Sequence, residues 1–484
     1  MEPMASSLSD LALDVHKNIA LIFRMAAKFV HVDHNTPLLL PPDLRDWIPK
    51  GHMVHFVMDA VDVLDLSAAK INERGTGSAQ YPPATMLSLL IYSYATGTFS
   101  SRKIEALTYD SVPVRLLTAD THPDHDSICK FRRENKDLLS SCFHQILELA
   151  ATAKILKVGE LTVSVDGTKI LANASKHSAM SHDHLEKQMK LAQDQITELL
   201  AKAEEADAVP LQDGLSIPEE IQRREDRLAT LRKAKKVMEE RAEERLIKEQ
   251  AEYEAKRAAR EEKERTTGRK PGGKKPKAPE AGPRPKDQYN FTDPESRIMK
   301  TSEGFQQCYN VQAAVDAETM LIIGGYVSTA PNDKEQLGVI VGAISPAVGA
   351  PVNILADNGY YSAQAVTGVE NDGEGPTVYA ALKRNHHGRS VADLEEKGDP
   401  PAPHLPGAGI AEIMAHRLES AVGKALYKLR KETVEPFFGI VKEVLGFRRF
   451  SMRGEEKVNI EWDLVSLSAN VKRLHKLNMV FATA

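Results

Sequence analysis

The chain has 484 residues, a formal net charge of −5 and the apolar and charged fractions of an ordinary soluble protein. That length allows about two to four domains with at least one substantial core. No apolar run reaches the roughly 18 residues of a membrane span, the Met1–Ser7 start lacks a basic region leading into an apolar core, and Cys129, Cys142 and Cys308 are scattered and form no zinc motif. The expectation is a cytoplasmic protein in a reducing compartment with no membrane partner. The slight acidity argues against a protein coated in nucleic acid, but a local basic surface can still bind it.

Residues 1 to about 150 read as helical. Pro82-Pro83 opens an apolar helix through Met86, Leu87, Leu89, Leu90, Ile91 and Tyr94, and Gly97 closes it. Ser100 or Ser101 can cap the next helix, Arg102 to Leu107. A third begins near Asp124 to Ser127 and carries Ile128, Phe131, Arg132 and Arg133. This order is compatible with a helix-turn-helix that offers Arg132 and Arg133 to DNA. The alternative is a plain helical bundle with its arginines in water.

Leu161 to Ile170 alternates apolar Leu161, Val163 and Val165 with Thr162, Ser164 and Asp166, the pattern of a half-buried strand. Asp166 ends the alternation with a charge, and Gly167 follows. A buried carboxylate is costly unless it is paired or binds a cation, so Asp166 either braces a turn or faces a metal. From His184 to Arg265 the composition shifts to Ala, Glu, Lys, Arg and Gln, with Leu185, Met189, Ile196, Leu199 and Leu200 at helical spacing. A break at Val209-Pro210 and Gly214 to Pro218 predicts a helical hairpin or coiled-coil insertion with solvated charges. Thr266 to Lys286 sets seven basic residues among Gly and Pro and reads as a disordered or extended tether.

Strand patterns return at Phe305 to Asp316 and Met320 to Val327, a hairpin joined at Ala317-Glu318. Asn332-Asp333 is expected to cap a helix through Ile344. Val352 to Ala356 is a short strand ending on Asp357, a helix starts near Ser362, and Thr377 to Leu382 is a strand ending in Lys383-Arg384. His386 to Gly407 is a Gly/Pro-rich loop. The last structured part is expected at Leu426 to Phe450, where Thr433 caps a helix with Glu435 and Pro436 in its first turn. Lys442, seven residues on from Glu435, then holds nearly the same angular position.

Strand, hairpin, helix, strand, helix, strand, helix is the order of a ribonuclease-H-like α/β fold, here a mixed sheet with an all-α amino-terminal domain and a long helical insertion. In that fold the first strand is central, the Asp357 strand can lie beside it, and the closing helix can bring Glu435 to both. Three carboxylates brought together repel, and a divalent cation removes that cost. Oxygen-only ligands favour Mg²⁺ or Mn²⁺. Two such ions about 3.5–4 Å apart suit phosphoryl transfer.

The chain resembles bacterial insertion-sequence transposases of the Asp-Asp-Glu type, closest to the insertion sequence 1182 group. The resemblance is carried by Val165-Asp-Gly-Thr-Lys-Ile170 with Ala172-Asn-Ala-Ser-Lys176, Thr292-Asp-Pro-Glu-Ser-Arg297, Tyr309-Asn-Val-Gln312, Asn332-Asp-Lys334, Ala356-Asp-Asn-Gly-Tyr360, and Val434-Glu-Pro-Phe-Phe-Gly439 followed by Gly446-Phe-Arg-Arg-Phe450. It covers nearly the whole chain. It implies a catalytic and metal-binding triad of Asp166, Asp357 and Glu435 with two Mg²⁺ or Mn²⁺ ions. A signature of Tyr, Arg, Glu and Lys is filled by Tyr427, Arg430, Glu435 and Lys442, with Arg430 one residue further from Glu435 than in the commonest form and Lys431 at the expected spacing. Either basic residue then meets the end phosphate. Lys383 and Arg384 are further candidate DNA contacts, and Asp316, Asp333 and Glu432 are assigned structural or capping roles.

What this implies is a DNA transposase that cuts element ends and joins their 3′-hydroxyls to target DNA, working on double-stranded DNA as a homodimer or larger assembly in the bacterial cytoplasm and on the nucleoid. The competing readings are a ribonuclease-H-like nuclease without strand transfer and a non-catalytic DNA-binding scaffold. The expected domains are 1–155, helical and DNA-binding; 156–180 with 287–475, catalytic; 181–265, the helical insertion; and 266–286, the basic linker.

Overall fold

The computed structural model describes residues 43–72, 79–206, 217–269, 272–382 and 407–481. It divides into two units, Met1–Trp47 and Ile48–Ala484. Within the first, the described part contains a single 3₁₀ turn, Leu44–Trp47. The second holds the sheet and the α-helices.

Its chain begins with helices Met53–Asp62, Pro83–Ala95, Ser101–Asp110, Val112–Leu117, His125–Glu134 and Lys136–Thr152. Pro83 starts its helix where a missing N–H costs nothing, and Gly97, at φ 84°, follows its end. Met86 to Ala95 are all buried, the mark of a helix packed on every side rather than of an amphipathic surface helix. Asp124 caps the His125–Glu134 helix by accepting from Ser127 N at 2.8 Å, as its sequence predicts.

The strands follow: β1 (Thr162–Leu171), β2 (Ala179–Ser181), β3 (Gln288–Asn290), β4 (Arg297–Thr301), β5 (Gly304–Asp316), β6 (Ile322–Ser328), β7 (Asn353–Ala356) and β8 (Thr377–Ala380). Strands β5 and β6 form the expected hairpin. The six-stranded sheet runs β4-β5-β1-β7-β8, with β6 also pairing β5. Strand β1 is antiparallel to β5 and parallel to β7, and β7 is parallel to β8. The sequence reading ended the alternation at Asp166, but β1 continues to Leu171 because Asn310 to Cys308 of β5 pair with Lys169 to Leu171.

Two long helices, His182–Ala206 and Ile217–Thr267, pack antiparallel between β1 and β3. Leu185 meets Leu231 and Met238, whereas Ala192 and Ile196 meet Leu228 nearer the start of the second helix. The second helix outruns the first, and Arg284 of the following extended segment pairs back onto its Glu249 at 2.8 Å.

Three expectations near the carboxyl half are corrected. Asn332-Asp333 caps no helix: the short helix there is Leu337–Gly342, with Gln336 at its N-cap. Thr433 is not a cap either. The helix starts at Ala421, where Ser420 Oγ accepts from Gly423 N at 3.0 Å, and runs through Pro436 to Gly439. Thr433 Oγ1 donates back to Leu429 O at 2.6 Å, the habit of a mid-helix threonine. A π turn, Ile440–Val444, follows the proline, carries Lys442 and shifts the helical phase there.

Leu426 to Phe450 is also not the last structured part. A 22-residue helix, Glu455–Lys476, packs on the Pro83–Ala95 and Lys136–Thr152 helices and on β6. Its Asn470 side chain bonds both Ile322 N and Ile322 O, at 2.9 and 2.7 Å, and Asn459 does the same for Val327, at 2.8 and 3.4 Å. These two amides occupy the free edge of β6 as a neighbouring strand would. One hydrophobic core thus runs from Val54 and Leu90 through β1 and β5 to Trp462.

Candidate active site

The register of β1 and β7 places two acids together. Ser164 pairs with Leu355; Asp166 stands two residues further along β1, and Asp357 follows directly on the last residue of β7. Asp166 is partly buried. Burial, and then the Asp357 charge, push its carboxyl up to about 7, against the pull of the Gly167 N–H and of Arg430. Asp166 Oδ1 accepts from Gly167 N at 2.8 Å, and Asp357 Oδ1 accepts from Gly359 N at 2.7 Å.

The Ala421–Gly439 helix supplies the third side. Arg430 is buried, with Nη2 at 2.8 Å from Glu435 Oε1 and Nη1 at 3.9 Å from Asp166 Oδ2. Its guanidinium lies over the Tyr427 ring at 5.8 Å. Burial pulls the Arg430 pKa down, but Tyr427, Asp166, Glu435 and Asp357 outweigh it and leave the group more firmly charged than usual. Lys431 is exposed, so of the two basic residues Arg430 stands among the acids. Lys442 Nζ donates to Thr168 Oγ1 and, at 2.9 Å, to Lys169 O, so it reaches β1 from within the π turn. A cleft of about 360 Å³ opens beside Thr168, Lys169, Lys442 and Arg448.

The donor set is all oxygen, and an anion at Asp166 is destabilised by its surroundings, a cost that a hard divalent cation removes. Glu435 is engaged with Arg430, however, and among the described residues no three metal-capable side chains converge on one point. Asp166 and Asp357 offer oxygen ligands of the kind a hard cation takes, while Glu435 is held by Arg430.

Other predicted contacts fall differently. Arg132 does not face DNA. It is buried, donates to Tyr94 Oη at 2.6 Å and Phe99 O at 3.2 Å, and pairs with buried Glu461 at 3.8 Å. The reason is its place on the inward face of the His125–Glu134 helix, one residue from exposed Arg133. Lys383 and Arg384 lie outside the described residues, as do the Val209-Pro210 break and most of the His386–Gly407 loop. Asp293, in the Thr292–Arg297 motif, accepts from Tyr309 Oη and Gly454 N, a corner that joins β5 to the start of the closing helix.

A group that sequence reasoning left as structural lies next to Asp166. Asp333 Oδ1 accepts from Asn310 Nδ2 and Gln312 Nε2, both at 2.7 Å, with Lys169 Nζ at 3.9 Å. Gln312 Oε1 accepts in turn from the buried Tyr360 hydroxyl. The signal was present in three motifs, Tyr309–Gln312, Asn332–Lys334 and Asp357–Tyr360, but nothing local says that they meet.

An acid on β1 and another just past the end of the adjacent parallel β7, with an arginine and lysines around them, make an acidic site framed by cations, suited to a phosphate-bearing polymer. Residues 42–134 match the family model described as a transposase domain (DUF772), and residues 407–475 match the one described as a transposase DDE domain. The two matches together indicate an insertion-sequence transposase of the DDE type. Tyr427, Arg430, Glu435 and Lys442 fall inside the second match, whereas Asp166 and Asp357 lie outside both. No curated protein and no solved structure matches the chain.

Proposed function

We propose that this transposase cuts insertion-sequence ends and joins the freed 3′-hydroxyls to target DNA at a single site built from Asp166, Asp357 and Glu435. The observation that carries this reading is the Asp166–Asp357 pair, held side by side by strand register, with the Asp166 carboxyl pushed up to about 7. The strand order β6-β5-β1-β7-β8, antiparallel through its first three members and parallel through its last, supports a ribonuclease-H-like fold.

Asp166 and Asp357 would hold Mg²⁺ or Mn²⁺, with Glu435 completing the set. When bound, two such ions supply activation of the attacking oxygen and stabilisation of the leaving one. Arg430, released from Glu435, binds the scissile-strand phosphate with its planar fork. Lys442, tied to β1, keeps a positive charge near the same phosphate. Tyr427 supports the guanidinium from its ring face. Exposed Arg133 and Lys431 are assigned to the outer DNA backbone, and Lys383 and Arg384 remain candidates for it. Handling two ends calls for a dimer or larger assembly on DNA, and the helical arm of His182–Ala206 and Ile217–Thr267 is the candidate contact. Membership of the insertion sequence 1182 group and a cytoplasmic, nucleoid-associated location belong to the same reading.

The test is a Mg²⁺-dependent assay on labelled element-end DNA with target DNA present. Nicked ends together with a joined product are expected. Nicks without joined product leave a nuclease, and no cleavage at all leaves a DNA-binding scaffold.

A further inference from the structure

Gly167 follows Asp166 on β1, and alternation turns its Cα towards the opposite face of the sheet. No side chain fits there. A Cβ at 167 would lie 2.7 Å from Asp333 Oδ1 and 3.2 Å from Asn310 Oδ1, and would collide with Gln312 Nε2. The missing side chain admits a carboxylate and two carboxamides beneath the residue that follows the site's central acid.

The hydrogen bonds among them have a direction. A carboxylate only accepts, so Asp333 obliges Gln312 to turn its NH₂ inward, at 2.7 Å. That leaves Gln312 Oε1 facing the Tyr360 hydroxyl, which donates to it. Tyr360 is fully buried and lies three residues beyond Asp357, in the turn where Gly359 N holds Asp357 Oδ1 and Tyr360 N bonds Asp357 O at 3.3 Å. Asn310 Nδ2 holds Asp333 from the other side and also reaches Ala330 O at 3.1 Å. None of these groups touches Arg430 or Glu435 by hydrogen bond or ion pair among the described residues.

We propose that Asp333 is a positioning residue which, through Gln312 and the Tyr360 hydroxyl, sets the turn carrying Asp357 and so sets how the acidic pair takes up a divalent cation. The inference rests on the reading of Asp166 and Asp357 as the cation-binding pair. An amide whose two ends are both spoken for cannot flip, and the turn it anchors then has one arrangement. Displacement of one acid by about 1 Å is enough to cost on the order of 10²-fold in rate.

The test uses the full chain and Mn²⁺ alone, with binding followed by electron paramagnetic resonance in the absence of DNA. Gln312→Glu sets a carboxylate against Asp333, and Asp333→Asn lets the Gln312 amide flip. Each is expected to weaken Mn²⁺ binding about tenfold. The double variant Gln312→Glu/Asp333→Asn reverses the polarity of the 312–333 contact, since the carboxylate introduced at position 312 would accept from both Tyr360 and the new amide, while Asn310 turns its own amide to accept from that NH₂ and gives up Ala330 O. It is expected to return to within about twofold of the parent. Tyr360→Phe should lower affinity without recovery in either background. Single variants that bind Mn²⁺ as the parent does would overturn the proposal, and so would a double variant no better than the weaker single. Thermal melts run beside these separate loss of fold from loss of the site. A parent chain that binds no Mn²⁺ and cuts no DNA would instead defeat the reading of the acids themselves.

Discussion

Arg132 and Arg430 are both buried arginines set beside a carboxylate on the opposite side of a helix packing, yet their surroundings differ. Glu461, the partner of Arg132, has no exposure and takes hydrogen bonds from Ser451 N, Ser451 Oγ, Met452 N and Tyr94 Oη. Asp166, beside Arg430, takes one, from Gly167, and Glu435 is about half exposed. The first cluster has its acceptors filled and its water excluded, so it holds the amino-terminal helices to the closing helix. The second keeps spare oxygen lone pairs, a destabilised carboxyl and an opening to solvent, which is what a site for cations and phosphates needs. An arginine among acids is therefore not diagnostic; the unfilled acceptors are.

The largest expected effect sharpens this contrast from the open side. Asp166→Asn should lower Mg²⁺-dependent end cleavage by about 10⁴-fold with little loss of fold, measured by single-turnover cleavage beside a thermal melt. From the closed side, Glu461→Leu leaves Arg132 buried without its anion and should cost about 3–5 kcal/mol of stability, read by denaturant unfolding, with Mn²⁺ binding in the folded fraction unchanged. If both variants lost stability alike, the division of labour between the two clusters would fall.

The pH dependence is smaller and carries a defined sign. A carboxyl raised from 3.8 to about 7 binds its proton more tightly in the folded state, so the metal-free chain should lose stability as pH rises between those values. Asp463, pushed up to about 7 by burial on the closing helix, adds a slope of the same sign. Asp166→Asn should remove its share of the slope and Mg²⁺ should flatten the same share, while the Asp463 share persists. Mn²⁺ affinity should rise as pH passes through about 7. The smallest effect concerns the helix that carries Arg430 and Glu435. Ser420→Ala should cost about 1 kcal/mol as the loss of a true N-cap, as measured by chemical denaturation. An equal cost for an exposed serine outside any helix start, such as Ser302, would remove the capping argument.

Much of the scaffold was legible in local pattern. The Pro82-Pro83 start, the Asp124 cap, the β5–β6 hairpin and the strand ending before Asp357 all follow from alternation, capping and turn chemistry, and each is present. The helix carrying Glu435 was misread because Thr433 and Pro436 mimic a helix start, while packing of Val434, Phe437 and Phe438 keeps the chain helical through the proline. The closing helix was missed because most of its faces are buried, which erases the amphipathic stripe that marks a surface helix.

The sequence by itself singled out the candidate residues: the acids of three separated motifs, the arginine and lysine near the last of them, and the glycine after the first. Those are matters of residue type and short-range order. Only the tertiary structure decided that Arg430 rather than Lys431 enters the site, that Arg132 belongs to the core, and that Asp333 reaches beneath Gly167. Each of those depends on which face of an element is covered by another element far away in the chain, and burial of that kind leaves no mark on the neighbouring residues.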